Sequence, residues 1–330
     1  MGGKRRYLSI VAVIVGPVMG IISGILVSYT ATGEAKPFIE TIISTATSRA
    51  HLESVARVMG PIVASAVGLS LAYRSGFITI GSEGQVLLGA LATLGVVSYT
   101  SLGDMGTVVP LTVSLLVALL IGGLWGLIPG ILRAYLGVNE ILSSLMLNYV
   151  SVSIVNYMVS GPWRAGAFTA TRSIPDSINV GPLTILLILG VLAGAYEVIL
   201  RYTRLGISLE ARGIAPRAAY TYAISPRKAV LYASILAGIT AGLGGWLFMI
   251  ALQRSFTALS QPPGYGYMGV LVAWLSLRVP LATLAGGALF SLLIIAGFSL
   301  QTSGIPFNTV LLIQSLIVLS TLAMIALSRR

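Results

Sequence analysis

The chain has no cysteine, one histidine and only nine acidic residues among 330, and each shortage removes a class of chemistry. Without cysteine there are no disulfides, no thiolate metal sites and no thiol nucleophile. His51 is the one imidazole, so an HExxH zinc site cannot be built, and a serine–histidine pair has a single candidate base. No GxxxxGK followed by serine or threonine occurs, so no Walker loop cradles ATP phosphates. Charge itself is scarce. Only 9% of residues are charged against 56% hydrophobic, and the mean hydropathy is +0.95, a balance outside that of water-soluble domains. No catalytic residue, metal ligand set or cofactor site is expected in this chain.

What is abundant is apolar sequence in runs long enough for an α-helix to cross ~30 Å of hydrocarbon. The alternation of a β-barrel is missing. The expected fold is all-α, a polytopic transmembrane bundle of about ten spans in one domain, residues 1–330, with both termini cytoplasmic. The net charge of +11 is spread singly over the ends of apolar runs or gathered in one central loop. Positive charge retained on the cytoplasmic side explains it, so the bilayer is the expected partner and nucleic acid is not.

Taken in order, Lys4, Arg5 and Arg6 precede a first span from Tyr7 to about Thr30, with Gly16, Gly20 and Gly24 on one packing face. Residues 31–56 are mixed and suit an exterior segment along the membrane surface. A second span, Arg57 to Tyr73, leads into RSGFITIGSEGQVLLGALATLG (74–95), where Gly76, Gly81, Gly84, Thr79, Ser82, Glu83 and Gln85 put irregular polar backbone beside an apolar helix. Such backbone is tolerated at membrane depth only where protein or water covers it. The fourth span, Val108 to Leu132, carries Gly122, Gly126 and Gly130 at four-residue spacing.

The fifth span starts in GVNEILSSLMLNYVSVSIVNY (137–157), where Glu140, Ser144, Asn148 and Ser151 form one polar stripe. The stripe either bonds neighbouring helices or lines a solute path. Residues 161–181 form the main exterior loop, with Trp163 as an interface anchor. A sixth span, Pro182 to Tyr202, ends with Glu197 and Arg201 placed for an ion pair. A seventh, Ala229 to Leu252, carries Gly238, Gly242 and Gly245, a short helix and a ninth span follow, and the tenth runs from Phe307 to Leu327. A glycine-interrupted polar segment leads into an apolar helix near residues 76–90 and again near 262–276, an internal echo pointing to two halves.

The most basic interruption is the loop at 203–228, TRLGISLEARGIAPRAAYTYAISPRK. Ala215-Pro216 reads there as a helix start and Ser225-Pro226 as its close, giving about two turns. Ala215, Ala219 and Ala223 leave one face nearly bare, fit for a groove on another protein. An ordinary solvated cytoplasmic loop is the alternative.

FITIGSEGQVLLGA (77–90), GVNEILSSLMLNY (137–149), the 203–228 loop and GYGYMGVLVAWLS (264–276) together resemble the permease subunits of ABC importers in the branched-chain amino acid, ribose and nucleoside superfamily. The resemblance is nearest to its simple-sugar and nucleoside (basic membrane protein) branch. Glu210, Ala223, Thr79 and Met268 depart from that branch's arginine, glycine, asparagine and aspartate. The resemblance implies a multi-pass plasma-membrane permease for nucleosides or simple sugars, working with a separate ATPase subunit that binds the ATP. A second permease subunit, identical or paralogous, and an extracytoplasmic solute-binding protein are implied as well. It places ATPase coupling on Glu210, Arg212, Pro216, Arg217, Ala218, Ala219 and Ala223. Glu83, Gln85, Asn139, Glu140, Ser144 and Asn148 become the candidate substrate path, because nucleoside hydroxyls and base edges need donors and acceptors. Branched-chain amino acid import is an alternative solute class. An ion-coupled secondary transporter using Glu83 or Glu140 is an alternative mechanism.

Overall fold

A computed structural model describes residues 36–166, 169–214, 225–259 and 262–302, with four further positions between 312 and 319. The first and tenth expected spans, the Gly16, Gly20 and Gly24 face, both termini and residues 215–224 lie outside the described residues. The chain divides into two compact units, one drawn from Met1–Val55 and Ala288–Arg330, the other from Ala56–Gly287.

Every regular element among the described residues is a helix, and one isolated bridge joins Ala170 and Thr257. In order they form α1 (Lys36–Thr47), α2 (Arg49–Arg74), α3 (Ser82–Tyr99), α4 (Val108–Leu136), α5 (Glu140–Ser160), α6 (Pro182–Tyr202), α7 (Arg204–Ile214), α8 (Pro226–Leu247), α9 (Tyr265–Leu275) and α10 (Ala282–Thr302). Six described helices are long and apolar enough to cross a membrane: α2, α4, α5, α6, α8 with its extension to Gln253, and α10.

Two local outcomes differ from the sequence expectation. The helix before the polar segment starts at Arg49, eight residues ahead of Arg57, and Lys36–Thr47 is helical before it. Residues 204–214 are helix, separated from α6 only by Thr203, so the basic loop is structured from its start. Ser225-Pro226 opens a helix, and the two-turn helix expected before it lies outside the described residues. Ser225 Oγ accepts from Lys228 N and Pro226 takes the first helical position, where its missing N–H costs nothing.

The core of the second unit is set by which helices can approach closely. In α4, Pro110, Ser114, Ala118, Gly122, Gly126 and Gly130 repeat every fourth residue and are buried, while Leu116, Leu120, Leu124 and Ile128 on the other side are exposed. The small face lies on Gly238 and Gly242 of α8: a Cβ at Gly122 would stand 2.5 Å from the Gly238 carbonyl oxygen and 2.6 Å from Gly242 Cα. This is the packing that glycine-striped membrane helices use. Trp246 Nε1 donates to Ser114 Oγ at 3.0 Å along the same seam.

Candidate functional site: a polar junction of α3, α5 and α9

The irregular backbone between α2 and α3 is held by side chains from three directions. Ser144 Oγ accepts from Ile80 N at 3.1 Å. Asn148 Oδ1 accepts from Gly84 N at 2.9 Å, and its Nδ2 donates to the Ile80 carbonyl at 3.0 Å and to the Tyr267 hydroxyl at 3.1 Å. The Tyr73 hydroxyl donates to the Thr79 carbonyl at 2.8 Å. Backbone groups that no helix satisfies are thus satisfied inside the bundle, as apolar surroundings require.

Glu83 closes the junction. Its Oε1 accepts from Gly264 N at 2.8 Å, and its Oε2 accepts from Gly266 N at 2.7 Å and Tyr267 N at 3.3 Å. The carboxylate therefore occupies the N-terminus of α9, where free N–H groups and the helix dipole favour negative charge. Ser82 Oγ adds a bond to the Gly266 carbonyl at 2.9 Å. Only glycine fits at 266, because a Cβ there would meet Ser82 and Glu83 backbone. Gly264, at φ 89°, makes the turn into the helix. The two segments that echo each other in the sequence thus lie against one another at their helix starts.

Of the candidate path residues, Glu83, Gln85, Ser144 and Asn148 come together here, all buried, Glu83 and Asn148 at 1% exposure. Gln85 Oε1 finds no hydrogen-bond partner among the described residues. Asn139 and Glu140 lie at the end of α5, about 13 Å of helix away from Asn148. Gly137, at φ 68°, ends α4, and Asn139 starts α5 by accepting from Ile141 N and Leu142 N. Glu140 pairs with Arg133 at 3.2 Å. Sequence reasoning missed Tyr267 and Ser82 as members of the junction. Their signal was present in the glycine-flanked polar residues of both echoing segments.

Of the coupling candidates, Glu210 and Arg212 are on α7, while Pro216, Arg217, Ala218, Ala219 and Ala223 lie outside the described residues. Glu210 pairs with Arg74 at 3.6 Å, and Arg212 Nη1 donates to the Ser75 carbonyl at 2.6 Å. At the opposite end, Trp163 stacks on Tyr99 with ring centroids 4.6 Å apart. Arg254 ties the segment after α8 to residues 174–176 through Asp176 at 3.2 Å and the Ile174 and Pro175 carbonyls. Glu197 and Arg201 form the expected pair.

Six apolar helices of membrane-spanning length among the described residues, together with a buried, hydrogen-bonded polar junction, define a helical membrane protein. The chain belongs to the family described as the permease component of branched-chain amino acid transport systems, which matches residues 51–327. It is 25% identical to a nucleoside ABC transporter permease protein of Lactococcus lactis subsp. cremoris, over 96% of this chain and 91% of that one. A glucose ABC transporter permease protein of Haloferax volcanii is 31% identical over 86% of this chain and 77% of its own length. A guanosine ABC transporter permease protein of Bacillus subtilis is 27% identical, over 80% and 78%. No solved structure matches the chain. The protein is accordingly a multi-pass plasma-membrane permease subunit of an ABC transporter.

Proposed function

We propose that this permease imports nucleosides or simple sugars through a pathway that opens at the α3–α5–α9 junction. The observation that carries this is the irregular segment 75–81, held among apolar helices by exchangeable side-chain hydrogen bonds from Ser144, Asn148 and Tyr73. Relatives named for nucleosides, guanosine and glucose support the solute class. All three solutes present hydroxyls able to replace those bonds. In this reading ten spans place both termini in the cytoplasm and the two echoing segments form a repeat around the pathway. A separate ATPase docks on the 203–228 loop through Glu210, Arg212, Pro216, Arg217, Ala218, Ala219 and Ala223. A second permease subunit completes the pathway and an extracytoplasmic binding protein delivers solute.

Ion coupling through Glu83 or Glu140 is disfavoured by their surroundings. Three backbone N–H groups engage both oxygens of Glu83, and Arg133 holds Glu140. The test is uptake of labelled uridine, adenosine and ribose by vesicles bearing the complete importer, with ATP supplied or withheld. ATP-dependent accumulation of one of them is expected; accumulation driven by an ion gradient without ATP would sink the reading. Tyr267→Phe separates path from packing better than truncation of Asn148, which would strip Gly84 N and the Ile80 carbonyl of partners. It removes one hydroxyl at a stability cost of about 1 kcal/mol. Uptake should fall while membrane abundance holds, and unchanged uptake removes Tyr267 from the path.

A further inference from the structure

α7 is fastened at both ends. At its start, Thr203 Oγ1 accepts from Gly206 N at 3.2 Å and donates to the Ile199 carbonyl at 2.6 Å. Gly206 lies so near Ile199 and Leu200 that a Cβ would clash with their backbone, and Leu209 is fully buried. At its far end, Gly213 rests on the Arg74 carbonyl with no room for a side chain, Arg212 reaches the Ser75 carbonyl, and Glu210 pairs with Arg74. Burial and the neighbouring Arg133 disfavour the charge on Arg212, which Glu140 offsets. A half-buried cation aimed at a backbone carbonyl is a costly way to pack a surface helix.

The segment that α7 grips in turn grips α9 at both ends. Nine residues after Arg74, Glu83 holds the α9 N-terminus. Arg74 Nε donates to the Arg278 carbonyl at 2.7 Å, in the turn after α9, and Arg278 Nη1 returns a bond to the Tyr73 carbonyl at 3.3 Å. Leu277 and Arg278 sit there at φ 52° and 62°. Non-glycine residues hold such backbone only when their surroundings impose it.

Resting on the coupling role of the 203–228 loop, we propose that Arg212 and Gly213 are positioning residues for transport. They clamp α7 to segment 74–83, so that displacement of the ATPase-facing loop is carried to α9 and opens the polar junction.

The test uses the complete importer in proteoliposomes, with spin labels at Leu124→Cys on α4 and Met268→Cys on α9. Because the chain has no cysteine of its own, cysteine-free partner subunits leave only these sites labelled. With Gly213→Ala or Arg74→Lys, both outside the docking residues and on either side of the same contact, the ATPase should still co-purify and hydrolyse ATP. Uptake should fall by at least about tenfold, within the range of coupling free energies, and the ATP-dependent change in label distance should vanish. Transport and distance change like those of the parent chain in both variants would overturn the proposal while leaving the transport function standing. Absence of ATP-dependent uptake in the parent chain would remove the function and the proposal together. Should Gly213→Ala fail to assemble, Arg74→Lys alone is read by the same two criteria.

Discussion

The α4–α8 seam and the α3–α5–α9 junction are both tightly packed, yet they are built from opposite materials. The seam joins backbone to backbone through Gly122, Gly126, Gly238 and Gly242. The junction joins side chain to backbone through Ser82, Glu83, Ser144 and Asn148. In lipid, helices gain nothing from hiding apolar surface from each other, so the seam is held by dispersion at close range and has one good fit. Hydrogen bonds can be exchanged for water or solute hydroxyls at modest net cost. The difference teaches where the proposed motion is cheapest: the glycine seam has no partners to exchange, and the polar junction does.

The hardest blow to that contrast is delivered at the seam. Gly242 lies where three helices meet, against the Ala118 carbonyl and Gly122 of α4 and beside Gly89 of α3. Overpacking that side chains can absorb costs about 1–3 kcal/mol, but here the obstacles are backbone atoms. Gly242→Leu should leave little folded protein in the membrane, measured by abundance and by size-exclusion profile in detergent. A well-folded, abundant Gly242→Leu chain would show that the seam does not depend on that close approach.

At the junction the corresponding change is Glu83→Ala, which strips partners from three N–H groups. At about 1–3 kcal/mol for each buried unsatisfied group, the variant should lose most of its thermal stability. Glu83→Gln keeps one carbonyl acceptor and should fall between the parent chain and Glu83→Ala. Equal melting temperatures for Glu83→Ala and the parent chain would mean that the carboxylate does not hold α9.

Much of this was legible before any coordinates. The glycine spacing in α4 and α8 marks the seam because a period of four on a helix leaves only one face that can approach closely. The stripe at Ser144, Asn148 and Ser151 faces inward for the same geometric reason, on a helix whose other faces carry Ile141, Met146 and Tyr149. Membership of the junction was less legible. That Glu83 caps α9 requires residues 83 and 264–267 to be neighbours in space, which no local pattern states. Helix α7 was missed because the most basic stretch of the chain read as loop, although Gly206 and Leu209 give it a buried face.

The mildest change sharpens the comparison by leaving both regions alone. Asn139 sits on α5, the helix that carries the junction, but its side chain only accepts from Ile141 N and Leu142 N at the exposed helix start. Removing such a cap costs about 1 kcal/mol, and glycine at the same position only a few tenths. Asn139→Ala should therefore lower the melting temperature slightly and leave KM for solute unchanged, while Asn139→Gly should melt almost with the parent chain. A rise in KM in either variant would place Asn139 in contact with solute and extend the pathway from the junction to the far end of α5. In that case Glu140 and Arg133, paired one residue away, would be the next groups to substitute.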